Sequence, residues 1–255
     1  NSWNLWHEGH IDALFDRLIQ DMIVFEGVDP NKVYIMGYSA GGDGVYQLAP
    51  RMADRLAAAS MMAGHPNNAS PLGLRNIGFT IHVGAIDGAY DRNKKATEWG
   101  QKLDELQKAD PKGYVHLAKL HEGRPHWMNM EDKEAIPWME KFTRNPLPDK
   151  VVWHQSSRIH DRFYWLAVPK AEAKEGQDIV AERNGQNITV TAKNNPHVII
   201  RLNDAMLNLD EPVTVTFNGT ALPPKKVTRT VDVIRRTIDE RGDPNSIFSA
   251  ELTLP

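Results

Sequence analysis

No cysteine occurs among the 255 residues, which excludes disulfides, thiol nucleophiles and cysteine-ligated zinc. That absence fits a reducing, cytoplasmic setting, although exported proteins also do without cysteine. No apolar run approaches the roughly 18 residues that would suggest a membrane span, so no membrane partner is expected. Positive charge is not in excess either. The formal net charge is -3, and Lys94-Lys95, Lys225-Lys226 and Arg235-Arg236 are isolated pairs. Phosphate recognition wants clustered Lys and Arg, so no nucleic-acid partner is expected. Internal repeats and low-complexity segments are missing too. The first residues, Asn1 to Trp6, lack an initiator Met and the charged-then-apolar pattern of a secretory signal. What is present is an ordinary globular composition, 41% hydrophobic and 25% charged, enough for one large domain or two modest ones.

The first two thirds of the chain alternate helix and strand patterns. Ile11, Leu14, Phe15, Leu18, Ile19 and Met22 recur at three- and four-residue spacing, the mark of an amphipathic helix. Gly27 and the Asp29-Pro30-Asn31 turn stop it. Val33 to Met36 reads as a short buried strand, followed by a Gly-rich turn and a helix from about Ala40, which Pro50 ends or separates from the next. Further apolar or strand-like runs span Ala57 to Ala63, Phe79 to Val83 and Tyr114 to Leu120. Helical spacing returns at Ala96, Trp99, Leu103 and Leu106, and again at Ile136, Met139 and Phe142. Strands and helices alternating in this way predict an α/β fold, a predominantly parallel sheet with helices on both faces.

Asn145-Pro146-Leu147-Pro148-Asp149 reads as a linker, because two prolines fix the backbone and remove donors. It divides a first domain, 1–145, from a small β-rich module, 150–255. In that module Ile188-Thr189-Val190-Thr191 and Val213-Thr214-Val215-Thr216 alternate with period two. Asn184-Gly185 and Asn218-Gly219 are hairpin-turn signals. One helix, around Val231 to Arg241, interrupts the strands.

Gly37-Tyr38-Ser39-Ala40-Gly41 has the form G-x-S-x-G and follows an apolar strand directly before a helix. A serine hydroxyl is a poor nucleophile unless it is held exposed beside a base. A sharp strand-to-helix turn does this by forcing the serine backbone into a strained conformation. Gly37 and Gly41 are expected because strand and helix nearly touch there. The Ala40 N–H and the helix dipole would face the negative charge of a tetrahedral intermediate. Ser39 is therefore the candidate nucleophile.

Chain order then points to an acid and a base on later strand ends. Asp87 follows the Phe79 to Val83 strand and is the candidate acid. Asp91 is its rival, though an N-cap at the start of a helix would explain it without catalysis. Of ten histidines, His126 lies in the loop between the last strand and last helix of the first domain, where a general base belongs. His121 is the runner-up at a strand end, while His82 and His116 sit within strand patterns. His65, His121 and His126 match no recognised metal-ligand spacing, so no metal site is expected.

With these residues in view, Asp29-Pro30-Asn31-Lys32-Val33-Tyr34 leading into Gly37-Tyr38-Ser39-Ala40-Gly41-Gly42 resembles one branch of the α/β-hydrolase superfamily, that of dienelactone hydrolases, phospholipase/carboxylesterases and polyhydroxybutyrate-depolymerase-like enzymes. Gly84-x-x-Asp87 and Pro125-His126-Trp127 resemble its acid and base loops. The resemblance covers about residues 10 to 144. It implies hydrolysis of a small-molecule or polymeric carboxylic ester through an acyl-enzyme, with no metal or organic cofactor. A serine peptidase of prolyl-oligopeptidase type, or a non-catalytic module keeping the elbow as structure, remains open.

The sequence departs from that family at its start. Members place about four strands before the nucleophile strand, and one of their loops supplies the second oxyanion N–H. Here 32 residues precede Val33 and spell one loop and one helix. The N-terminal strands of the fold are thus missing, and the nucleophile strand becomes a bare apolar edge, which soluble proteins avoid. The expectation is a longer natural protein, or an N-terminal segment or partner chain covering the edge near Val33. Losing one oxyanion donor would cost roughly 3–4 kcal/mol of transition-state stabilisation.

Other residues carry two readings. His65, after the Ala57 to Ala63 run, falls on the strand-end face where ligands bind and is either a candidate substrate contact or part of an ordinary polar loop. Trp127, with Met61, Met62, Trp99 and Met128, is a candidate acyl-pocket residue, although core packing explains most of that set. Trp3, Trp6 and His7 at the entry to the first helix either line the cleft or pack, and packing is the favoured reading. Phe163-Tyr164-Trp165 is either a stacking platform for a polymer or strand core.

Overall fold

A computed structural model describes residue 6, residues 8–194 and residues 197–255. Two compact units emerge. The first holds residues up to Ile19 together with Asp29–Asn145, and the second holds Gln20–Val28 and Pro146–Pro255. Trp3 and His7 lie outside the described residues.

The first unit contains helix α1 (Gly9–Glu26, whose last turns belong to the second unit), strand β1 (Tyr34–Tyr38), helix α2 (Ala40–Arg51), strand β2 (Ala58–Met62), strand β3 (Gly78–Gly84), helix α3 (Arg92–Ala109), strand β4 (His116–His121) and the short helix α4 (Ala135–Met139). All neighbouring strands are parallel, in the order β1-β2-β3-β4. Crossover helices cover parallel sheets on both sides, so the central strands read as continuous apolar runs rather than alternating ones. Every residue of β2 and β3 is buried accordingly.

Alternation along the strands assigns the two faces. On one face Phe79 packs against Tyr46 of α2 and Trp99 of α3, with the Tyr46 and Trp99 rings 4.6 Å apart and edge-on. Ile35 packs on the same side with Ile11 and Phe15 of α1 and Leu48 and Met52 of α2. On the other face Tyr38, Met62, Ala63 and Met128 meet Ala135 at the start of α4. The register Met36↔Ser60↔Thr80 puts a buried hydroxyl pair, Thr80 Oγ1 to Ser60 Oγ at 2.8 Å, on this second face with them. Helices therefore cover both faces.

Strand β1 pairs only with β2 among the described residues, and Met36 is 49% exposed. Pro50 lies inside α2, one residue before its end, rather than terminating it. The pattern at Ile136, Met139 and Phe142 resolves into a 3-10 turn (Glu131–Glu134) and one turn of α-helix, shorter than the periodicity suggests.

The second unit contains strands β5 (Lys150–His154), β6 (Arg162–Phe163), β7 (Leu166–Ala167), β8 (Asp178–Asn184), β9 (Asn187–Lys193), β10 (Ile199–Leu202), β11 (Thr214–Phe217) and β12 (Thr220–Ala221), helix α5 (Val231–Arg241) and strand β13 (Ala250–Thr253). They form a five-stranded sheet, β12-β11-β9-β8-β5, and a four-stranded sheet, β13-β10-β7-β6. Both turn signals carry the positive φ that tight hairpins need: Gly185 at 56°, Asn218 at 47° and Gly219 at 81°. Period-two patterning does not name partners, and β11 pairs parallel with β9 across a long connection. Thr230 caps α5 by accepting from Val233 N, and Gly242 ends it in the left-handed conformation. Phe163, Tyr164 and Trp165 are all buried, and Trp165 Nε1 donates to Pro148 O at 2.8 Å. That run is core, not a platform for a polymer.

Candidate active site

Ser39 sits between β1 and α2 with φ 57° and ψ -119°. Non-glycine residues avoid this region at a cost of order 1–3 kcal/mol, and the strain persists only where surrounding structure over-determines it. Three constraints do so here. Ser39 N donates to Met62 O at 2.9 Å, tying the turn to the end of β2, and Ser39 O accepts from Asp43 N at 3.0 Å in the first turn of α2. The third is close packing. A Cβ on Gly37 would collide with the carbonyl of Gly41, and one on Gly42 would lie 2.5 Å from Met62 O and 3.0 Å from the Gly64 backbone. The second glycine of the motif behaves differently from expectation. A Cβ on Gly41 would meet nothing within 4 Å, so Gly41 contributes its carbonyl to the tight approach, and Gly42 is the residue that must stay small.

The loops that carry Asp87 and His126 close over this turn. His126 Nε2 lies 3.0 Å from Ser39 Oγ, and its Nδ1 lies 2.7 Å from Asp87 Oδ2. Asp87 is buried, whereas the His126 side chain is 40% exposed. Asn93 fixes the Asp87 loop from both sides, its amide Nδ2 donating to Ala85 O at 2.9 Å and its backbone N to Asp87 O at 3.1 Å. Gly84 lets the backbone of Arg124 and Pro125 pass over the end of β3, since any Cβ there would strike their carbonyls. Ile86 N donates to Arg124 O at 3.1 Å, which joins the two loops. Arg92 Nη1 stands 3.8 Å from Asp87 Oδ1.

Tyr38 was not legible as a site residue. Its hydroxyl donates to His126 O in a short hydrogen bond, and its ring meets the imidazole edge-on at 5.5 Å. Burial first, then Asp132, raises its pKa above that of a free phenol, so it remains a donor. The residue next to Ser39 thus holds the backbone of His126. The one available signal was its place in the G-x-S-x-G motif, which gives no hint of direction.

Among the remaining candidates, Ala40 opens α2, where the first backbone N–H groups have no partner within the helix. His65 N donates to Asp43 Oδ1 at 2.6 Å, so its loop abuts the first turn of α2, but the imidazole bonds Asn67 within the loop. Trp127 is 58% exposed beside Tyr38, with rings 5.9 Å apart, whereas Met61, Met62, Trp99 and Met128 are buried core. Trp6 packs on α2, its Cβ lying against Gly44. Asp91 is at the N-cap position of α3 but is left-handed and makes no cap bond. Its carboxylate takes Lys94 Nζ at 2.9 Å instead, which corrects the capping role expected of it. His121 is buried against His82 and is not at Ser39.

A strand, a strained serine turn, a helix, and then an acid and a histidine on successive strand-end loops is the α/β-hydrolase order. No protein-family model matches the sequence, and no curated protein matches it. Solved structures with a similar backbone include a thermostable esterase, 22% identical, at a TM-score of 0.44 over 52% of this chain and 36% of that one. A carboxylesterase of Bacillus cereus is 18% identical, at 0.40, over 51% of this chain and 59% of that one. Esterase PE8 is 15% identical, at 0.35, over 49% and 59%. The chain thus spans between about one third and three fifths of the length of these structures.

Proposed function

We propose that the protein is a serine hydrolase of carboxylic esters. The observation that carries this reading is the unbroken line from Asp87 Oδ2 through both nitrogens of His126 to Ser39 Oγ, at 2.7 and 3.0 Å, on a strained turn. With Asp87 accepting from Nδ1–H, Nε2 is left as the lone pair that takes the serine proton. Ser39 Oγ attacks the ester carbonyl, its proton passes to His126 Nε2, and the oxyanion forms in front of the Ala40 N–H. Collapse expels the alcohol, which takes the proton from His126 and leaves an acyl-Ser39. Water, deprotonated by the same imidazole, then releases the acid and restores the serine. His65 and Trp127, flanking the turn, are the proposed substrate contacts.

The substrate is a small-molecule or polymeric ester, and a further segment or partner chain pairs with the open side of β1. The exposed Met36 supports that partner, as do Leu14 and Leu18 of α1, each more than half exposed. A monomer of this chain alone with full activity would overturn it. For the reaction itself, p-nitrophenyl esters and peptide anilides separate the candidate substrates. Ester turnover is expected to exceed anilide turnover for every acyl group tried. The reverse order would make the protein a peptidase.

A further inference from the structure

Among the described residues, one group of three histidine and carboxylate side chains lies close enough to hold an ion: His82, His121 and Glu134, with ligand atoms all within 4.8 Å of one another. It belongs to the sheet face covered by α4 and uses none of the groups assigned to ester cleavage. Register places it there. His82 on β3 pairs with Lys119, and His121 on β4 pairs with Gly84, so both imidazoles leave the sheet on one side. The 3-10 turn Glu131–Glu134 lies over them.

We infer that His82 Nδ1, His121 Nε2 and Glu134 Oε1 form a binding site for a divalent transition metal, Zn2+ being the best fit. The two imidazole nitrogens are 3.1 Å apart, and His82 Nδ1 is 3.7 Å from Glu134 Oε1. Ligand atoms on a tetrahedral zinc at about 2.0–2.1 Å sit about 3.3 Å from each other, between those two values. Two nitrogens and one carboxylate oxygen suit a borderline cation better than Mg2+ or Ca2+, which take oxygen ligands. His121 is already oriented for the task. Its other nitrogen, Nδ1, lies 3.4 Å from Glu131 Oε2, and a carboxylate behind a histidine is the usual outer partner that fixes a metal ligand's tautomer. Glu131 is itself held by Arg124, whose Nε donates to Oε1 at 2.7 Å.

Both rings are essentially inaccessible to water. An open groove lined by Lys119, Glu131, Lys133, Glu134, Ile136 and Pro137 leads to the carboxylates. The competing cation is Lys119, whose Nζ is 2.6 Å from Glu134 Oε1 and whose side chain is 44% exposed. The ion must displace that ammonium, which can swing into solvent. A bound ion would tie β3 and β4 to the 131–134 turn, just below the loops that carry Asp87 and His126.

The alternative is a plain hydrogen-bonded pair of neutral histidines, and binding measurements separate the two. Chelator-treated protein is titrated with Zn2+ against a chromophoric chelator, and with Co2+ followed by visible absorption. One Zn2+ per chain and the intense band of tetrahedral Co2+ are expected. Glu134→Gln should weaken Zn2+ binding by more than the about 10–100-fold that loss of an outer partner of a ligand costs and remove the band, with circular dichroism reporting its folding. Lys119→Met should tighten binding several-fold. Failure to bind, or an affinity unchanged by Glu134→Gln, overturns the site. If Glu134→Gln does not fold, an unchanged affinity in Lys119→Met overturns it instead.

Discussion

Replacing Ser39 with glycine is expected to lower ester turnover by about 10^6-fold while raising stability by about 1 kcal/mol. Both effects come from the same turn. In the proposed mechanism the hydroxyl is the atom that bonds to the acyl group, so its loss removes covalent catalysis, and removal of the serine or the histidine of such a triad costs nearly as much as removal of all three. The backbone at φ 57° and ψ -119° is strained for serine but is an ordinary mirror-image extended conformation for glycine. Relief of roughly 1–3 kcal/mol of strain outweighs the roughly 0.4–1 kcal/mol that glycine's extra freedom gives the unfolded chain. Ser39→Ala should lose the same activity with no gain in stability, because alanine keeps the strain. Urea denaturation of the three proteins checks this. A glycine variant less stable than the alanine variant would show that the turn is not strained.

The second large effect distinguishes two adjacent glycines. Gly42→Ala is expected to destabilise the fold by about 3 kcal/mol, because its methyl would lie 2.5 Å from Met62 O and 3.0 Å from the Gly64 backbone. Backbone atoms on both sides cannot yield as a flexible side chain can. Gly41→Ala should instead be neutral or stabilise by up to about 1 kcal/mol, since its methyl enters open space in the first turn of a helix. Denaturation midpoints of the two variants decide the matter. Equal shifts would contradict the close approach of β2 and α2.

How far the sequence foretold these features depends on how local their causes are. The elbow was readable because strand, turn and helix are consecutive and the glycines sit at fixed spacing. The 231–241 helix was equally plain, and in the structure Thr230 and Gly242 cap its ends. Asp87 and His126 were named from chain order and loop position, with Asp91 and His121 as rivals, and the structure sets both of them in line with Ser39. Gly41 was misjudged because spacing does not say which neighbour's Cβ meets the strand. Asp91 was misread because its type favours an N-cap, whereas its observed φ of 55° turns the carboxylate to Lys94. The His82, His121 and Glu134 cluster was invisible for a longer-range reason. Its members come from two strands and a turn, and only the β3–β4 register and the α4 crossing bring them together. In the second unit, the alternation named β9 and β11 as strands but left their parallel pairing to the tertiary fold.

Treatment with a fluorophosphonate, followed by peptide mass spectrometry, tests most directly whether the 39–126–87 line is reactive. A single adduct on Ser39, lost on His126→Ala without loss of fold, is the expected result. Folded protein that stays unmodified, or carries its adduct on another serine, would contradict it.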